Sequence, residues 1–181
     1  MLRLNLILIA LLLTANCQAE SRFLSSVRIT GIEAFDEDNL SSATISLDVV
    51  GGLCQAGTAE EQPEPFFDTL IKFKIKNGTK TFVRITGYEV EVKNIASKRK
   101  VKTPRLSIIG DIAPDQTAEL SALFLRVLNN TKTFHGSNNA IAGDTGARNV
   151  TFKVYGRDSK GRAVRLSATT VFVFRNIDRC Q

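Results

Sequence analysis

The chain has 181 residues, of which 43% are hydrophobic and 23% charged, with a formal charge of +6. Such an apolar share excludes a disordered tail and suffices for one packed core, so one domain plus appendages is expected. The mild basicity favours acidic surfaces without implying nucleic acid.

Met1-Leu2-Arg3 opens the chain with one positive charge, and residues 4–13 are Leu, Ile and Ala broken only by Asn5. Residues 14–19 then turn small and polar. This three-part layout is that of a secretory signal. The apolar run falls short of the roughly 20 residues a transmembrane helix needs. Two processing routes are open. Cys17-Gln18-Ala19 places small residues three and one positions before a cut at Glu20, which suits a general signal peptidase. Leu13-Thr14-Ala15-Asn16-Cys17 also resembles a degenerate bacterial lipobox with Cys17 as the lipidated residue, although Thr14 and Asn16 depart from it. Residues 1–19 are therefore read as a leader, and residues 20–181 as a single domain. Arg3 is the only charged residue ahead of Glu20, so removing the leader lowers the charge by one, to +5. The expected location is extracytoplasmic: periplasmic or secreted, or an outer-membrane lipoprotein touching the membrane only through a lipid on Cys17.

With Cys17 removed or modified on either route, 2 of the 3 cysteines remain, Cys54 and Cys180. In an oxidising compartment they read as one disulfide. Closing so long a loop stabilises by roughly 3–5 kcal/mol through chain entropy.

Along the mature chain the dominant pattern has period two. Asp36-Glu37-Asp38-Asn39 forms an acidic turn. It lacks the spaced ligands of a calcium loop, so a solvated turn is the better reading. Ala43, Ile45, Leu47 and Val49 alternate with polar residues. Residues 51–65 form a long loop with Cys54 and the acids Glu60, Glu61 and Glu64. Ile71, Phe73 and Ile75 alternate with lysines, and Asn77-Gly78 then predicts a tight hairpin to the next run. Tyr88, Val90 and Val92 share a face, and Gly87 marks a bulge where the phase slips. Lys98, Arg99, Lys100, Lys102 and Arg105 cluster between two strands and predict a protruding basic loop, within residues 94–105. Residues 116–128 fit both helical and alternating spacing; neighbouring strands that need partners favour a strand. Residues 129–148 form a second long, aperiodic loop, rich in Asn, Gly and Thr, and loops of this length are usually functional or disordered. Val150, Phe152 and Val154 alternate, Asp158-Ser159-Lys160-Gly161 predicts a turn, and Val164, Leu166, Ala168, Phe172 and Phe174 share one last face. Alternation with one dry face is the signature of antiparallel sheets packed in two layers.

Little in the chain supports catalysis. His135 is the only histidine and no nucleophile motif accompanies it, which leaves a loop-based hydrolase the weaker reading. One histidine and no spare thiols cannot make a zinc site, so no cofactor is expected. Asn39, Asn77, Asn129 and Asn149 begin Asn-x-Ser/Thr triplets, which matter only in a eukaryotic secretory pathway.

Phe73-Lys74-Ile75-Lys76-Asn77-Gly78-Thr79 followed by residues 83–92 resembles the paired strands of bacterial immunoglobulin-like domains. Ile112-Ala113-Pro114-Asp115-Gln116-Thr117 is similar to their proline-led loop, and residues 154–161 to their last hairpin. The likeness spans residues 67–174 and extends to fibronectin type III-like domains. The chain has no Trp, and Cys54 and Cys180 do not sit where antibody domains place their disulfide. The resemblance thus implies an all-β, antiparallel immunoglobulin-like β-sandwich of about eight strands, not an antibody-type domain. The expected role is a non-enzymatic binding or structural module of the cell envelope. Its partner would be a protein or an anionic envelope component met through residues 51–65, 94–105 and 129–148; nucleic acid is not expected. A lipid-anchored accessory to a secretion or adhesion system is the alternative.

Overall fold

A computed structural model describes residues 26–36, 46–128, 131–137, 145–177 and 180. The leader with Cys17, the acids Glu37 and Asp38, Asn39, Ala43, Ile45, Asn129 and residues 138–144 lie outside the described residues. Twelve strands follow in order: β1 (Val27–Asp36), β2 (Ser46–Asp48), β3 (Leu53–Cys54), β4 (Gln62–Pro63), β5 (Thr69–Asn77), β6 (Val83–Asn94), β7 (Lys100–Lys102), β8 (Gly110–Ile112), β9 (Thr117–Leu128), β10 (Thr131–Phe134), β11 (Gly146–Asp158) and β12 (Ala163–Arg175). Among the described residues there is no helix.

One sheet has four strands, ordered β1-β5-β9-β10. The other has six, ordered β2-β12-β11-β6-β7, with β8 also paired to β6. The pairs are antiparallel except β2–β12, where Ser46, Leu47 and Asp48 run parallel to Val173, Phe174 and Arg175. Strand segments number twelve where about eight were expected, because several are only two to four residues long. Pieces of that length carry too few alternations to be read; β10, in a segment taken as loop, is one of them.

Alternation sets which residues meet. The inward set Ile71, Phe73 and Ile75 of β5 is fully buried, as are Val150, Phe152 and Val154 of β11. Phe73 and Phe124 from the four-stranded sheet meet Phe152 of the six-stranded sheet edge-on, with ring centroids 5.3 and 5.4 Å apart. Phe124 also lies 5.8 Å from Phe172. Tyr88 joins the cluster, and its buried hydroxyl donates to the Leu123 carbonyl at 2.6 Å, so the sheets are hydrogen-bonded across the core as well as packed. Burial pushes that hydroxyl's pKa up to about 12.

The Asn77-Gly78 hairpin is corrected. β5 pairs with β1 and β9, while β6 pairs with β11, β7 and β8, so the two runs belong to opposite sheets. Phe73 and Tyr88 face each other across the core, with centroids 6.1 Å apart, instead of pairing edge to edge. Asn77 drives the crossing. Its buried amide donates to the carbonyls of Thr81, Ile112 and Ala113, and its Oδ1 accepts from the Thr79 amide and hydroxyl. Gly78 serves close approach, since a Cβ there would stand 2.7 Å from the Ser26 carbonyl oxygen. The Asn77 triplet is thus structural.

Other expectations hold. Of residues 116–128, all but Gln116 lie in strand β9. The register between β6 and β11 slips by one residue beside Gly87, as the phase change required. Gly161 takes φ +80° in the hairpin between β11 and β12. Cys54 and Cys180 are bonded, with Cα atoms 5.3 Å apart, and close a sequence separation of 126 residues.

Two stability tests follow from this packing. A Cβ at Gly156 would stand 2.3 Å from the Arg84 carbonyl oxygen, where only backbone can yield. Gly156→Ala should therefore cost about 1–3 kcal/mol in urea unfolding, in the range of overpacked sites. Replacing both Cys54 and Cys180 with Ser should cost roughly 3–5 kcal/mol, and reductant should add two hydrogens to the wild-type intact mass. An unchanged mass would remove the crosslink.

Candidate anion-binding face

Side chains that do not enter the core cover the outside of the six-stranded sheet, where strand alternation turns them. Lysines and arginines outnumber acids there. Of the five residues in the basic cluster, Lys100 and Lys102 belong to β7 rather than to a loop. They reach diagonally to β6, Lys100 to Glu91 at 2.8 Å and Lys102 to Glu89 at 3.2 Å. Lys153 on β11 shares Glu91 at 3.8 Å. The Lys100 hydrogen bond and the surrounding lysines hold the Glu91 carboxyl below its ordinary value despite partial burial. Arg105 lies with its guanidinium 4.3 Å from the Tyr155 ring centroid and donates to Thr86 Oγ1 at 3.3 Å. The acidic loop does not supply these partners. Glu61, exposed, and Glu64, buried, accept from amides of their own loop, those of Gly57 and Gly52, each at 2.8 Å.

Lys98 and Arg99 form the tip of the β6–β7 hairpin. Asn94 builds that tip by accepting the Ala96 and Ser97 amides on Oδ1 at 2.8 and 2.9 Å, and Lys98 closes it with φ +59°. Both cations are exposed and, among the described residues, make no ion pair. The same holds for Lys93 and Arg165, which the contiguous cluster did not reveal. Lys93 stands opposite Lys100, and Arg84 opposite Arg157, in the strand registers. Like charges directly across a sheet are unfavourable, and one member of each pair is relieved locally: Lys100 by Glu91 at 2.8 Å, and Arg84 by a two-point pair with Asp111 at 2.7 Å. The signal in the sequence was the parity of basic residues along β6, β11 and β12. It becomes visible only once those strands are known to be neighbours.

Described parts of the segments singled out from sequence meet at one end of the sheets. Asn94 pairs with Arg148, and Val50 bridges to Thr131. Charged side chains that the sequence did not flag are buried there. Lys132 is fully buried, donates to Thr69 Oγ1 at 2.9 Å, and lies 5.0 Å from the Phe66 ring centroid. The Arg148 guanidinium lies 5.6 Å from the Phe174 ring centroid. Asp48 accepts the Ile177 amide at 3.2 Å and so holds the tail that leads to Cys180. His135 sits in the turn after β10, its amide donating to the Phe124 carbonyl at 3.0 Å. Among the described residues its ring has no hydrogen-bonding partner. No group of three or more His, Cys, Asp or Glu that could hold a metal occurs among the described residues.

No family model matches the chain, and no curated protein matches it. Among solved structures it is similar to a Northeast Structural Genomics Consortium target, SoR45, at 8% identity and a TM-score of 0.47, over 88% of this chain and 95% of that one.

At the opposite end of the sheets Asp158 organises the last hairpin. Its Oδ1 accepts the amides of Lys160 and Arg162 at 3.0 and 2.8 Å, and its Oδ2 accepts Arg162 Nε at 2.9 Å. Burial alone would raise its pKa, but the Arg162 hydrogen bonds and charge, with the Lys160 amide, outweigh that and lower it. A depressed folded pKa stabilises the fold above the ordinary value of 3.8 and loses that contribution as pH falls through the folded value. Asp158→Asn should therefore cost about 1.5–3 kcal/mol at pH 7, the range for hydrogen bonds to charged groups. The cost should shrink on acidification, read from urea melts at falling pH; a pH-independent difference would contradict this role.

Proposed function

We propose that this chain is an exported, non-enzymatic binding module of the cell envelope. It takes an anionic partner, a protein or another envelope component, on the outer face of its six-stranded sheet. The observation that carries this reading is the set of cations on that face that have no carboxylate partner among the described residues: Lys93, Lys98, Arg99 and Arg165. Lys93 stands opposite Lys100, whose charge Glu91 takes up at 2.8 Å, so Lys93 is the member of that pair left to meet a bound anion. The Cys54–Cys180 bond supports an oxidising, extracytoplasmic location, in line with the leader read from residues 1–19.

Strand distribution supports an immunoglobulin-like frame. β1, β5 and β9 lie in one sheet and β6, β11 and β12 in the other, which matches the division of the first, second and fifth strands from the third, sixth and seventh in such sandwiches. On that frame the outer faces and loops are free for binding while the core is spent on packing.

Retention of the purified exported protein on a dextran-sulfate column tests the face. Replacing Lys93, Lys98 and Arg99 with Gln should lower the salt needed for elution. Replacing Arg28, Lys76 and Arg126 with Gln removes the same charge from the other sheet and should lower it much less. Equal shifts would mean that retention follows net charge alone, and the proposed face would fall.

A further inference from the structure

At the Asp158 end of the same sheet a groove of about 480 Å³ opens to solvent, lined by Phe82, Arg84, Arg157, Ser159 and the two carboxylates Asp111 and Asp158. Its volume lies in the range of small-ligand sites, roughly 300–1,000 Å³. Two features set it apart from the general charge of the sheet. The first is Phe82, an aromatic ring left 58% exposed beside two guanidinium groups. A phenyl ring in water is an unsatisfied apolar surface, and covering it is favourable.

The second is the state of the four charges around it. Arg84 is engaged, both its Nε and Nη2 donating to Asp111 at 2.7 Å. Asp158 is consumed by Arg162 and the turn amides. Arg157, directly opposite Arg84, has no carboxylate among the described residues and spends one donor weakly, on the Gly161 carbonyl at 3.4 Å. A planar guanidinium with its fork open to solvent beside an apolar ring matches one ligand chemistry closely, a carboxylate attached next to an apolar group.

We propose that this groove binds the C-terminal carboxylate of a polypeptide ending in an apolar residue. Arg157 takes the carboxylate in a two-point pair, the terminal side chain covers Phe82, and the Ser159 hydroxyl is placed to donate to the carboxylate or accept from the last amide. The groove's openness decides between sources of such a carboxylate. A fatty acid needs an enclosed apolar tunnel to bury its tail, whereas a peptide buries one side chain and leads its chain away into solvent. This goes beyond the charged face described above, which attracts anions broadly and does not select a carboxylate with an apolar neighbour.

Calorimetric titration of the purified exported protein with a hexapeptide ending in a free-carboxylate Phe tests the site, beside the same peptide amidated and beside decanoate. The free acid should bind, and amidation should weaken it at least about tenfold, as loss of a charge-assisted pair does. Arg157→Gln and Phe82→Ser, both surface changes, should each weaken it by a similar factor while leaving the thermal melt in place. Replacing Lys93, Lys98 and Arg99 should leave peptide binding intact, so failure of the charged face and failure of the groove are told apart. Absence of binding, equal binding of the amidated peptide, preference for decanoate, or binding indifferent to both Arg157→Gln and Phe82→Ser would each overturn the proposal.

Discussion

Phe73, Phe124, Phe152 and Phe172 form the contact on which the two sheets depend. Each comes from a different strand, and the rings interlock edge to face or tilted within 5.3–5.8 Å across the sheet boundary. Each such pair adds about 0.5–1.5 kcal/mol beyond the area it buries, and each ring sits at an inward position fixed by alternation. A one-residue slip in any of these strands would carry its ring to the outside, so the cluster also fixes register. The Tyr88 hydroxyl bond to Leu123 adds a directional tie to packing that is otherwise non-directional.

Because the rings fix which residues face inward, they also fix which face outward. The lysines and glutamates of β6, β7 and β11 are brought side by side by pairing, not by adjacency in the chain. Where acids are in reach the cations are engaged, as Lys100 is with Glu91. Where none is in reach among the described residues, as at Lys93, Arg165 and Arg157, the sheet keeps a positive surplus in water. Exposed pairs contribute little to stability, so the pattern of partnered and partnerless cations is better understood as a surface property than as a structural necessity.

The two ends of the molecule are built differently. At one, Asn77 and Asp158 satisfy turn amides and carbonyls with short side chains, and Asp158 lines the Phe82 groove. At the other, Lys132 of β10 and Arg148 of β11 are buried, and Asp48 and the Cys54–Cys180 bond hold the C-terminal tail against β2 and the β3–β4 ribbon. Charges buried in this way require partners close by, as Lys132 has in Thr69 at 2.9 Å, which ties β10 to β5.

Although it left β1 unread and β9 open between strand and helix, the amino-acid pattern by itself determined the alternating runs of β5, β6, β11 and β12 with their inward residues, the bulge beside Gly87, the β11–β12 turn and the pairing of the last two cysteines. Each of these follows from period-two burial, from local backbone geometry or from elimination among few thiols. Tertiary structure alone decided that Asn77-Gly78 crosses between sheets, because a side chain reaching Ile112 and Ala113 is a contact over more than thirty residues that no local turn rule contains. It alone decided which members of the basic cluster are engaged, and that Arg157 stands beside Phe82. Those facts depend on which strands become neighbours, and strand adjacency is set by the whole core and not by any one segment.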